Sequence, residues 1–161
     1  MKHFIPIFIF VMLFSACGNN KADQAFADND TTTVIEEHYI WQSTLNDSTG
    51  KLEMVPAEVV SNDSLQPKIV VDLINKTYTE TGYYSKVRLA FIKTSGDTVY
   101  VKIPDATYLT QQMGSTGPTM FLSGVVYTIT GLPGINYVNF DFNEGDHAGP
   151  GTYSRESFRN E

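Results

Sequence analysis

Beyond residue 33, the side chains that could do chemistry are two histidines, scattered carboxylates and a few serines. His38 alternates with Ile40 in a β-branched and aromatic run, which predicts a sheet-face residue and not a base. Glu36 and Glu37 are adjacent, so a strand sends them to opposite faces and they cannot serve as an acid/base pair. Ser123 lies inside "FLSGVV", with no GxSxG elbow around it, so a satisfied helical hydroxyl is expected. The densest donor set is "DFNEGDHAGPGT", where Asp141, Asn143, Glu144, Asp146 and His147 fall close together. Its first half imitates a calcium loop, making Asp141, Asn143 and Asp146 the weak metal candidates. Gly145 and Asp146 stand in reversed order, however, and Thr152 occupies the place of the required bidentate Glu. A solvated loop is the expected state. HExxH, P-loop and dinucleotide-glycine patterns are absent from the sequence. The expectation is a chain with no catalytic residues, no metal and no cofactor, hence not an enzyme.

The single cysteine points elsewhere. In "MKHFIPIFIFVMLFSAC", Lys2 is a short basic start and Phe4 to Phe14 form an apolar run. That run is too short for a bilayer, which takes roughly 20 apolar residues as helix, but it suits a secretory leader. Ser15 and Ala16 are the small residues that precede a cut, and Cys17 follows them. The order Leu13-Phe14-Ser15-Ala16-Cys17 resembles a bacterial lipobox, with Phe14 where Leu is usual. Cys17 is therefore the expected lipidation site, and several acyl chains at about 0.8 kcal/mol per buried methylene make such an anchor effectively permanent. One cysteine excludes internal disulfides and CxxC sites. A formal net charge of −7 excludes nucleic acid, whose phosphates demand Lys and Arg.

The expected organisation is a lipoprotein signal peptide over 1–16, then lipidated Cys17 and a polar tether to residue 33, then one domain over 34–161. The tether "GNNKADQAFADNDTTT" cannot bury enough apolar surface to offset ordering entropy. Gly18, and not Asp, follows Cys17, which favours the outer membrane of a bacterial envelope, with the side it faces left open.

These residues must be positioned by a fold whose elements alternate in period. "VIEEHYIWQ" predicts a strand, "LNDSTGK" a turn, and "KLEMVPAEVV" a returning strand that Pro56 pushes to an edge. In "SNDSLQPKIVVDLINKTY", Leu65, Ile69 and Leu73 recur every four residues beside Val70 and Ile74, predicting a helix capped by Asp63 or Ser64, with Gly82 closing it. "KVRLAFIK", "TSGD" and "TVYVKI" predict a hairpin, followed by an irregular connection over 104–117. A second helix is capped by Thr116 or Gly117, carries Phe121, Leu122, Val125, Val126 and Ile129, and ends at Gly131 and Pro133. "INYVNFDF" is the last strand, with a Gly-rich tail after it. Gly124 costs a mid-helix position about 1 kcal/mol, so backbone approaches backbone there. The fold class is α/β (α+β): a small mixed sheet with two helices in the order β-β-α-β-β-α-β.

The segment "VVYTITGLPGINYVNFDFNEG" (125–145) resembles the closing motif of GerMN, the sporulation and spore germination domain family, and "KLEMVPAEVV", "QPKIVVDLIN" and "TVYVKIPD" parallel its earlier elements. The likeness extends over roughly 36–145. It implies a fold like the ring-building motifs of secretion and sporulation complexes, in a domain often tethered in cell envelopes and without catalytic residues. The matching positions Tyr127, Thr128, Pro133, Gly134 and Val138 are structural, Thr128 as a helix-terminal hydrogen bonder and Pro133-Gly134 as the corner from helix to strand.

Aromatics are the remaining handle. Tyr39 and Trp41 share a strand face, and Tyr83-Tyr84 precede the central hairpin, so these four are the candidate contacts to a partner or a glycan. The expected function is a non-enzymatic envelope lipoprotein working through protein–protein contacts in assembly or scaffolding. The partners are the membrane, through the lipid, and an envelope protein, with self-association left open. The alternatives are a peptidoglycan-binding accessory module and, third, an envelope hydrolase.

Overall fold

The β-branched and aromatic run from residue 37 forms β1 (Glu37–Leu45), which pairs antiparallel with β2 (Leu52–Ser61). Asn46 builds the turn between them, its Oδ1 accepting from the backbone N–H of Ser48 and Thr49 at 2.9 and 3.0 Å. Ile40 opposes Glu58 while Trp41 opposes Pro56, so Ala57 bulges out of the ladder beside a residue with no N–H to give. The computed structural model describes residues 37–61, 65–82 and 84–159. The leader, Cys17, the tether, Glu36, the proposed caps Asp63 and Ser64, and Tyr83 lie outside the described residues.

Helix α1 (Pro67–Glu80) starts from Gln66, with Pro67 in the first turn. Its buried stripe is Val70, Val71, Ile74, Thr77 and Tyr78. Ile69, counted as core from its spacing, is 43% exposed. The helix is rotated because two polar residues claim inner positions: Thr77 Oγ1 donates to Glu58 of β2 at 2.5 Å, and Tyr78 Oη to the Trp41 carbonyl at 2.7 Å.

Strands β3 (Ala90–Ser95) and β4 (Thr98–Lys102) form the expected hairpin around Gly96, whose φ of 60° suits a two-residue loop. β3 starts four residues later than its alternation indicates, because Asn75 of α1 takes the place of a neighbouring strand at Leu89. The Asn75 Oδ1 accepts from the Leu89 N–H at 2.9 Å, and its Nδ2 donates to the Leu89 carbonyl at 2.8 Å. The connection after β4 contains a π-helical turn, Tyr108–Gln112. α2 (Gly117–Ile129) then crosses to β5 (Tyr137–Asp141), which pairs parallel with β4. A parallel pair needs such a crossover. The Gly-rich tail returns as β6 (Gly151–Tyr153) and a 3₁₀ turn, Arg155–Phe158.

The result is a four-stranded mixed sheet, β3-β4-β5-β6, and a separate two-stranded sheet, β1-β2. The inner face of the larger sheet carries Val99, Val101, Val138 and Phe140, none more than 1% exposed. Nine of the thirteen residues of α2 are buried, which makes it the central element.

Candidate functional site

Of the family-motif positions, Thr128 lies in the seam between α2 and β1. An added Cβ on Gly124 would lie 3.0 Å from the Trp41 carbonyl oxygen and 2.5 Å from Tyr78 Oη, so the helix backbone rests directly on the strand. Around it, Thr128 Oγ1 donates to the Gly124 carbonyl at 2.8 Å and accepts from the Trp41 N–H at 2.8 Å. Thr128 therefore bonds across elements as well as within its helix. The Trp41 N–H and carbonyl thus both meet helix side chains, Thr128 of α2 and Tyr78 of α1, which covers that edge of the hairpin. Ser123 Oγ lies 2.9 Å from Ser43 Oγ and donates to the Met120 carbonyl, so its hydroxyl is occupied. Helix α2 ends at Ile129, with Thr130 as its cap and the left-handed residue at Gly134 (φ 75°), so Pro133-Gly134 does form the corner into β5. Val138 is fully buried in the sheet, and the Tyr127 ring takes the Arg155 guanidinium at 5.0 Å.

The ionisable groups are dispersed. His38 is 8% exposed, and its ring packs against Gly131 at the end of α2. Burial, and then the Arg155 guanidinium, hold its pKa below the ordinary 6.5. Its Nε2 has no hydrogen-bond partner among the described residues. Arg155 itself is engaged, donating to Thr130 Oγ1 at 2.8 Å and to the Tyr127 carbonyl at 3.0 Å. His147 sits in the loop after β5, on the exposed surface. Asp141 pairs with Lys102 at 3.8 Å, while Asn143 and Glu144 border a 220 Å³ cleft with Asp105 and Gln111. No group of three or more His, Cys, Asp or Glu side chains among the described residues is placed to hold a metal ion.

His38 gives a testable pH dependence. A folded-state pKa below the unfolded value means that the unfolded chain binds the proton more tightly. The stability this protects is complete above pH 6.5 and falls as the pH drops through 6.5 toward the lowered folded value. Urea midpoints at pH 7.5 and pH 5 should therefore diverge in the wild type, and His38→Gln should narrow the gap. An unchanged gap would assign the effect to other groups.

Among the described residues, two side-chain faces are open to solvent. On the hairpin, Tyr39 and Trp41 lie 5.4 Å apart between ring centres, tilted by 39° and half-exposed. Their cross-strand neighbours are Val59, 50% exposed, and Pro56. Tyr39 Oη donates to Glu37 at 2.6 Å, a bond that raises its pKa above 10. Of the other candidate contacts, Tyr84 is a core residue at 4% exposure, set edge-on to Phe121 at 5.3 Å, so it presents no surface.

The second face was missed in the sequence, although alternation carried the signal. Opposite buried Val99, Val101, Val138 and Phe140, the larger sheet turns outward Tyr100, Lys102, Tyr137 and Asn139, with Lys93 over the Tyr100 ring at 4.9 Å. Asn139 Nδ2 donates to Thr152 Oγ1 at 2.7 Å, tying the outward row to β6.

The strand edges are poor templates for a further strand. β2 carries Pro56 and the bulge, β3 carries Lys93 and an irregularity between Phe91 and Lys93, and β6 is three residues long.

The architecture defines a small mixed α+β domain in which a central helix is stitched to a hairpin and two side-chain faces stay open. The model of the family described as sporulation and spore germination, Germane, matches residues 39–146, two thirds of the chain. The chain belongs to that family. No curated protein and no solved structure matches the chain. None of the helices among the described residues is long and apolar enough to cross a membrane.

Proposed function

We propose that this Germane-family protein is a non-enzymatic lipoprotein of the bacterial cell envelope, acting through protein–protein contacts in envelope assembly or scaffolding. In this reading Cys17 carries the lipid, the polar residues that follow are the tether, and the outer membrane is the favoured location. The observation that carries the reading is the outward row Tyr100, Lys102, Tyr137 and Asn139, a sheet face that both helices leave uncovered. The two tyrosines of the row supply contact area at low entropy cost, which suits a protein interface. The blunted edges direct contact to this face and away from strand addition.

A photo-crosslinking residue in place of Tyr137, with the protein in its own envelope, should give a discrete adduct with another envelope protein or a second copy. Tyr100→Asp should remove that adduct while the fold persists. The purified protein should turn over neither peptidoglycan nor model esters. Turnover abolished by one side-chain change would overturn the non-enzymatic reading.

A further inference from the structure

The hairpin's outer face differs in chemistry from the sheet face. Tyr39 opposes Val59 and Trp41 opposes Pro56, so the four side chains form one aromatic and aliphatic patch. Neither strand of the hairpin contains a lysine or an arginine. Of the three glutamates on its strands, Glu58 is turned to Thr77 of α1, Glu53 accepts from Asn46 at the turn, and Glu37 accepts from the Tyr39 hydroxyl at the rim. Trp and Tyr with an apolar body and a polar tip are the side chains that settle at a lipid–water boundary.

We infer that this face rests on the headgroup region of the membrane to which the chain is anchored. The inference relies on the envelope-anchor reading above. Its support is where the tether ends: Tyr39 lies at the start of β1, and nineteen residues separate Cys17 from Glu37. At coil statistics, the tether expected from the sequence would span roughly 25 Å. Short flexible tethers create effective concentrations on the order of millimolar, so a face with only millimolar intrinsic affinity is substantially occupied. The attraction is apolar. With no basic residue on either strand and a formal net charge of −7, anionic lipid should weaken the contact.

The chain provides its own probe, because Trp41 is its single tryptophan. The full chain would be reconstituted in zwitterionic phosphatidylcholine vesicles, with and without bromine on the acyl chains, and two readouts taken: sedimentation with the vesicles and Trp41 emission. The expected result is co-sedimentation with blue-shifted emission that brominated lipid quenches. Val59→Asp should keep sedimentation but lose the shift and the quenching, whereas Val59→Leu should keep both. Far-UV circular dichroism on each variant separates loss of contact from loss of fold. Co-sedimentation with unshifted, unquenched emission overturns this inference and leaves the anchor reading intact. Failure to sediment overturns both. An emission change with peptidoglycan fragments but none with vesicles assigns the face to glycan and also overturns it.

Discussion

Phe121→Ala should lower the unfolding free energy by about 3–5 kcal/mol, the range for removing a buried aromatic ring from a packed core. The ring is 1% exposed and meets the edges of Tyr78 and Tyr84 at 5.9 and 5.3 Å. It thus joins α2 to α1 and to the segment leading into β3. Tyr78 is held by its bond to the Trp41 carbonyl and Tyr84 is buried against it, so the surroundings have little freedom to collapse into the space left behind. Aromatic pairing adds about 0.5–1.5 kcal/mol to the simple burial effect. Domains commonly have a total stability of 5–15 kcal/mol, so the variant should be close to unfolded at 37 °C. Urea denaturation with an unchanged m-value and a much lower midpoint is the expected result. A loss under 1 kcal/mol would mean that the trio of rings does not form the centre of the core.

Why Phe121 was legible and other features were not follows from the range of the interactions. Apolar residues at helical spacing identified the buried side of α2, and strict alternation identified Val99, Val101, Val138 and Phe140, because these signals are local and repeat. In α1 the same counting chose Ile69 and passed over Thr77 and Tyr78, which are buried at 2% each. Their inward orientation depends on acceptors 19 and 37 residues earlier, at Glu58 and Trp41. No window of helix periodicity contains such partners. The same limit explains the late start of β3, set by Asn75, and β6, whose three residues Gly-Thr-Tyr carry no pattern. Among the surface candidates, the Tyr39–Trp41 pair was visible from its i, i+2 spacing. The burial of Tyr84 was not, since its partners Tyr78 and Phe121 come from two other elements. The sheet's outward row was available in the alternation, but its polar members do not stand out from ordinary solvent-facing residues until the helices are known to lie on the other side.

Gly124 offers the sharpest test of the seam, because two general effects oppose each other there. Replacing a mid-helix glycine with alanine gains about 1 kcal/mol of helix propensity. Against this, the new Cβ would lie 2.5 Å from Tyr78 Oη and 3.0 Å from the Trp41 carbonyl oxygen. Neither neighbour is free to yield: Tyr78 is buried, and its hydroxyl already donates to that carbonyl. The Thr128 contact to the Trp41 N–H fixes the same residue from the other side. Overpacking typically costs about 1–3 kcal/mol, and separating a buried donor from its acceptor about 1–3 kcal/mol more. Gly124→Ala should therefore destabilise in net, by about 1–5 kcal/mol after the propensity gain. Gly124→Val, with two further methyl groups and poorer propensity, should lose at least about 3 kcal/mol. The companion measurement is Tyr78→Phe, which removes the nearest clashing atom while keeping the ring. In that background the cost of Gly124→Ala should shrink, and a double-mutant cycle would show the two sites coupled. If Gly124→Ala instead raises the urea midpoint, helix and strand stand farther apart than the structure places them, and the hydrogen bonds at Trp41 cease to explain how the hairpin is held.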